Sequence, residues 1–93
     1  MIYAYASLNV TNPEALAAYR EKAGAALAKH GGKIETATAA ARAIDGAPAI
    51  PDAAALLSFP DAESALAWAN DPTLAAVHAL RRNAGTSDII LLG

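Results

Sequence analysis

The chain contains no cysteine. That removes disulfides, thiolate metal sites and thiol nucleophiles together, and it suits a reducing cytoplasm, which is the expected location. Aromatic residues are scarce, at 5% of the chain with a single Trp, so each one found near polar groups carries weight. Charge is thin and nearly balanced: seven Lys and Arg against nine Asp and Glu leave a net charge of -2. The basic residues are scattered and only Arg81-Arg82 are adjacent. The clustered cations that grip phosphates are therefore missing, and nucleic acid is not an expected partner. Long apolar runs are missing too. None approaches the roughly 20 residues of a membrane span, and Ile2 to Val10 alternates instead of forming the apolar core of a leader. No membrane association is expected.

What the chain has in quantity is alanine. Of its 55% hydrophobic residues, 27 positions are Ala, which leaves 24 larger apolar side chains to bury. Alanine favours helices because it has no rotamer entropy to lose, but it buries little area. Ninety-three residues predict one domain over 1–93, and a domain that small removes only about 60% of its unfolded surface from water. Covering a sheet with a second copy would offset the shortage, so a homodimer is expected.

The local patterns repeat. A strand that alternates over Ile2–Leu8, a capped helix start at Asn12-Pro13-Glu14 and a stop at His30-Gly31-Gly32 make the first copy. Ala53–Phe59, Pro60-Asp61 and Asp88–Leu92 make the second. Two β-α-β units predict an α+β, ferredoxin-like βαββαβ fold with a four-stranded antiparallel sheet. In the first strand Ile2, Ala4, Ala6, Leu8 and Val10 share one face and should meet the helices, while Tyr3, Tyr5, Ser7 and Asn9 share the other. Asn12 as N-cap, Pro13 at the first helical position and Gly31 as the left-handed stop bound a helix over Pro13 to His30. Leu16, Tyr19, Ala23 and Leu27 form its apolar stripe. Lys33 to Ile44 reads as a weak strand and Asp45 to Asp52 as a turn. Asp61 caps a short helix carrying Leu66 and Trp68. Asp71-Pro72 starts another helix with Leu74, Val77 and Arg81 on one face, closed by Gly85 before a last strand over Asp88 to Leu92.

The candidate chemistry is sparse. Two histidines on different helices, with no HxxxH or HxxE spacing, predict no metal site. Gly31-Gly32 is a helix stop, and without GxGxxG or GxxxxGK[ST] there is no phosphate cradle. No nucleophile-elbow sequence occurs. No cofactor is expected. His30 lies at a helix end whose dipole favours the cation, either capping or turned inward. His78 precedes Arg81 and Arg82 by one turn, which disfavours its protonation, and it is expected at the surface. Arg81 borders an apolar stripe, where an arginine either snorkels or clamps a ligand carboxylate. Tyr19 is expected in the core with its hydroxyl reaching a partner. The candidate cavity set is thus Tyr3, Tyr5, Tyr19, His30 and Arg81.

Over nearly its whole length the chain resembles the small bacterial proteins grouped as domain of unknown function 1330. The resemblance rests on Tyr3, Val10-Thr11-Asn12-Pro13-Glu14 leading to Tyr19, His30-Gly31-Gly32 and Asp45-Gly46. It continues through Leu57-Ser58-Phe59-Pro60, Ala65 to Trp68, Asp71-Pro72, Leu80-Arg81-Arg82 and the aliphatic last strand. The resemblance implies a dimeric α+β barrel, two four-stranded sheets facing each other across a cavity, with no assigned reaction. The chain departs from that family at Ala37-Thr38-Ala39, where an Arg-Gly-Gly run is common, at Ala69 after Trp68, and at Thr73-Leu74, where Glu-Tyr is common. A second resemblance is to haem-degrading mono-oxygenases of the same superfamily. Trp68 and His78 are ten residues apart across a helix break, and Asn9 lies on the polar face of the first strand, which implies a haem-type alternative built from Asn9, Trp68 and His78.

The expected function is binding of a small anionic or aromatic molecule in a cavity between sheet and helices. The alternatives are a cofactor-free or haem-degrading mono-oxygenase or isomerase, and a non-catalytic structural or interaction protein. Carboxylates at the cavity-facing positions of the first and third strands would favour proton abstraction. Ser7 and Ser58 stand there instead, which favours binding.

Overall fold

The computed structural model describes residues 1–93 and realises both β-α-β units. Strand β1 (Ile2–Val10) leads to helix α1 (Pro13–Ala28), then β2 (Lys33–Thr38) and β3 (Ala53–Phe59). Helix α2 (Ala62–Asn70), a single 3-10 turn (Pro72–Leu74), helix α3 (Ala75–Ala84) and β4 (Gly85–Leu92) follow. The four strands form one antiparallel sheet in the order β2-β3-β1-β4. This is the ferredoxin-like arrangement, in which each β-α-β unit straddles a strand of the other. No helix is long and apolar enough to cross a membrane.

The helix starts are where capping chemistry requires them. The Asn12 side chain accepts from the Ala15 amide at 3.2 Å, Asp61 from Ser64 at 2.8 Å and Asp71 from Thr73 at 2.8 Å. Each satisfies an amide that the helix itself leaves unpaired. Helix α1 ends at Ala28, two residues short of the expected His30, because Gly31 turns the chain at φ 73° and the Gly32 amide closes onto the Leu27 carbonyl at 2.8 Å.

Two strands differ from expectation. β2 stops at Thr38 rather than Ile44. Thr38 is paired with Ala54, and β3 begins one residue earlier at Ala53. Beyond Thr38 the chain therefore has almost no partner backbone, and residues 39–52 are irregular. β4 is longer than expected, starting at Gly85, because its pairing with β1 continues through Asn9↔Thr86 and Val10↔Gly85. At that end a Cβ on Gly85 would lie 1.8 Å from the Asn9 carbonyl oxygen. Only glycine lets β4 approach β1 directly from the helix. The Ala84 carbonyl accepts from both Thr11 and Asn12 there, at 2.8 and 3.0 Å, locking the start of α1 to the end of α3.

The alternation of β1 divides the sheet into two unlike faces. Ala4 and Leu8 are buried beneath the helices, and Ala4 joins a core of Leu27, Leu57, Phe59, Trp68 and Leu74. Tyr3 and Tyr5 point the other way, beside Ile90 and Leu92. Phe59 and Trp68 pack with ring centroids 5.7 Å apart, within the range where aromatic pairs add to plain area burial.

Two glycine substitutions check this account. Gly85→Ala should cost about 1–3 kcal/mol or more through the clash with β1. Gly24→Ala, in an open stretch of α1 with nothing within 4 Å of the new Cβ, should stabilise by about 0.5–1 kcal/mol. Urea unfolding of both variants measures the two signs.

Candidate functional site

Between α1 and the covered face of the sheet lies a cavity of about 360 Å³. The α1 stripe makes one wall through Leu16, Tyr19, Ala23 and Leu27, and Leu8, Leu57 and Ile89 of the sheet make the other. Arg20, Arg81 and Ser87 supply polar groups, and no Asp, Glu or His lines it. A second cavity of about 270 Å³ lies against Trp68 and shares Arg81, Ser87 and Ile89 with the first.

Arg81 is the side chain common to both cavities that carries charge and organises the site. Its Nε donates to the Ser87 hydroxyl at 3.2 Å, and its Nη1 donates to Nδ1 of His78 at 2.8 Å. The guanidinium carbon sits 5.7 Å from the Tyr19 ring centroid and 5.3 Å from that of Trp68, both within cation-π range. Both of its hydrogen-bond acceptors are neutral. The ion pairs of the structure are Lys29–Asp71, His30–Asp71 and Lys33–Glu35, so no carboxylate balances the Arg81 charge. The remaining guanidinium N–H groups are donors without a protein acceptor. The Trp68 indole Nε1, unlike these, is buried with no acceptor, and an unmet buried donor costs about 1–3 kcal/mol.

His78 departs from the surface position expected of it. It is only 2% exposed, its ring edge-on to Trp68 at 4.7 Å and 88°. Helix α3 packs against α1, and this turns residue 78 inward onto Trp68. Nε2 lies 2.8 Å from the Trp68 carbonyl oxygen. A carbonyl only accepts and a guanidinium only donates, so Nε2 carries the proton and Nδ1 is bare. Burial pushes the imidazole below its ordinary pKa, and the Arg81 and Arg82 charges push the same way, against the Trp68 carbonyl and Asp71. An axial haem ligand needs an open imidazole lone pair, and that of His78 is engaged by Arg81. Asn9 is elsewhere, its side chain accepting from the Asp52 amide at 3.2 Å. The three residues do not fit a haem.

The other expected residues separate. Tyr19 and Arg81 meet in the cavity. Tyr3 and Tyr5 lie on the opposite sheet face, since strand alternation cannot place them with Ala4 and Leu8. His30 does not line the cavity either. Its Nε2 is 2.8 Å from Asp71, which Lys29 also meets at 2.7 Å and Thr73 meets through its hydroxyl at 2.7 Å. This cluster ties the end of α1 to the turn between α2 and α3. Lys29, then Thr73 and His30, hold the Asp71 carboxyl far below the usual carboxylate range.

Three contributors escaped sequence reasoning. Ser87 was not singled out, although strand alternation after Gly85 puts it on the same face as Ile89. The sequence marks Asp71 only as a cap. Glu35 accepts from the buried Ser58 hydroxyl at 2.9 Å, because the β2–β3 register shifts between Ile34 and Thr36 and a bulge turns the side chain. Ser58, then Lys33, holds the Glu35 carboxyl below its ordinary value, which makes it a poorer base than a free glutamate.

The family described as Domain of unknown function (DUF1330) matches residues 1–93, and the chain belongs to it. Among solved structures, the chain is similar to a protein of unknown function from Rhodopseudomonas palustris, determined as a structural genomics target. The TM-score is 0.73 at 20% identity, covering 98% of this chain and 79% of that one. That likeness concerns the fold. No curated protein matches.

The His78 environment sets a pH dependence. Its pKa is lowered by folding, so below about 6.5 the unfolded chain takes up the proton first. Stability is therefore level with respect to this group above that pH and falls as the pH drops below it. Thermal unfolding between pH 8 and pH 5 should show the decline, and His78→Asn should lack that component of the slope. The Asp71 contribution should be lost only in stronger acid, below the ordinary carboxylate value of 3.8.

Proposed function

We propose that this member of the family is a binding protein for a small apolar molecule with an anionic head. The apolar body would occupy the cavity beneath α1 and the head would take the open N–H groups of Arg81. The observation that carries the reading is a partly buried guanidinium with two neutral acceptors and no counter-carboxylate, bordering a largely apolar cavity. Charge-assisted bonds to an anion are stronger than neutral ones, and a second arginine, Arg20, reinforces the sign of the field. The cavity lining holds no carboxylate or imidazole for proton transfer, which favours binding over acid–base catalysis.

The same reading includes a homodimer formed through the open sheet face, giving the dimeric barrel. Its support is the row Tyr3, Tyr5, Ile90 and Leu92, exposed by 40, 36, 57 and 48%. A contiguous apolar patch of this kind on a small domain marks an interaction surface. Only 14 of 93 residues are buried in the isolated chain, so covering this face adds stability that one copy lacks. A reducing cytoplasmic setting is part of the proposal and rests on the absence of cysteine.

Two measurements test it. Titration with 8-anilinonaphthalene-1-sulfonate and its neutral counterpart N-phenyl-1-naphthylamine should show that Arg81→Ala weakens the anion about tenfold or more, the size of one charge-assisted bond, and spares the neutral probe. Equal loss of both, with the circular dichroism unchanged, would remove Arg81 as the anion contact. Sedimentation should find a dimer at micromolar concentration, and Ile90→Lys should convert it to folded monomer. A wild-type folded monomer would end the barrel reading.

A further inference from the structure

We propose that His78 is a positioning residue that holds the Arg81 guanidinium in its anion-binding pose only while its imidazole is neutral, so that anion affinity falls in acid. The proposal rests on the reading of Arg81 as the anion contact.

The geometry leaves one arrangement of protons. Nε2–H donates to the Trp68 carbonyl at 2.8 Å and Nδ1 accepts from Nη1 of Arg81 at 2.8 Å. A proton added to Nδ1 would set two donors and two positive charges face to face at that distance. The Nδ1–Nη1 contact is then lost, and Arg81 keeps only its Nε bond to Ser87 and its stacking on Tyr19 and Trp68. Those contacts hold the stem of the guanidinium and leave its far end free to turn. His78 cannot turn to compensate, because it is buried edge-on to the Trp68 indole.

The surroundings of His78 decide the direction. From its own helix Arg81 and Arg82 oppose its protonation. From the α2 end the Trp68 carbonyl and Asp71 favour it. From α1 Tyr19 reaches the site, its ring centroid 5.7 Å from the Arg81 guanidinium carbon. Burial is the largest influence, and it keeps the imidazole neutral at neutral pH. His78 lines neither cavity, whereas Arg81 lines both. A bound anion therefore meets the arginine and not the imidazole. Simple electrostatics would make an added positive charge raise anion affinity in acid, whereas loss of the Arg81 pose lowers it. The two accounts differ in sign.

The test uses the wild-type chain of 93 residues and the same two probes between pH 8 and pH 5, a range in which the sulfonate stays ionised. Emission excited through Trp68, the only tryptophan, reports protein-bound probe, and its loss in Arg81→Ala assigns that probe to this site. Affinity for the sulfonate should fall as the pH is taken from 8 to 5, by up to about tenfold, the size of one charge-assisted contact, while the neutral probe is unchanged. His78→Asn, which retains an acceptor near Nδ1 and does not titrate, should keep the pH 8 affinity across the range. His78→Phe should bind the sulfonate about tenfold more weakly at every pH. A wild-type affinity that is flat or rises in acid overturns the positioning role, with or without folded variants. If that result accompanies a selective loss in Arg81→Ala, the anion site stands without His78. If Arg81→Ala is also silent, the anion reading fails as well.

Discussion

A cation held by neutral partners organises the end of the molecule where its two cavities meet. Arg81 comes from α3, stacks against Tyr19 of α1 and Trp68 of α2, and bonds to His78 of its own helix and Ser87 of β4. Four elements thus converge on one guanidinium, and none contributes a negative charge. A structural arginine in a protein interior is ordinarily balanced by a carboxylate, because a buried unpaired charge is costly. Here the rings and the two acceptors orient the group, and the cavities on either side leave its remaining N–H groups accessible. The protonation of His78 follows from the same contact, since an arginine can only donate.

The ferredoxin-like topology explains why the site forms at this place. Interleaving the two β-α-β units puts β1 and β3 at the centre of the sheet and lays all helices on one face. Alanine-rich helices leave room above that sheet, because a methyl group fills less volume than the Leu or Ile a fully packed core would use. The cavity beneath α1 is bounded by Ala6, Ala23, Ala53 and Ala55 as much as by its leucines. The composition that weakens the core therefore also leaves open space beneath α1. On the other face Tyr3, Tyr5, Ile90 and Leu92 are left to solvent in the isolated chain, beside two carboxylates, Asp88 of β4 and Glu35, whose pKa Ser58 and Lys33 lower.

Much of the fold was legible because the signals are local. Asn12-Pro13, Asp61 and Asp71-Pro72 cap helices through bonds that span two or three residues. The stripe of Leu16, Tyr19, Ala23 and Leu27 announces which side of α1 is covered. Arg81 stood out as a charge at the margin of an apolar stripe. The same alternation that identified β1 already put Tyr3 and Tyr5 opposite Ala4 and Leu8. Tyr3 and Tyr5 therefore belong to a different face from the cavity that Tyr19 and Arg81 line. His78 was misplaced because its charge neighbours were visible while its burial was not. That burial comes from α3 packing against α1, which turns residue 78 onto Trp68. Glu35 was overlooked because a bulge, which reverses the direction of a side chain, has no reliable mark in a single sequence.

The amino-acid sequence by itself determined where the elements begin, which faces are apolar, and that cysteine, membrane-span and phosphate-loop chemistry are absent. Each of these depends on residues within about one helical turn or a strand's alternation of one another. Tertiary structure alone decided that Arg81 has no carboxylate partner, that His78 is neutral with a defined tautomer, and that His30 serves Asp71, 41 residues away. Those outcomes depend on which helices cross and how closely. Crossing is set by the summed packing of many side chains rather than by the chemistry of any one of them.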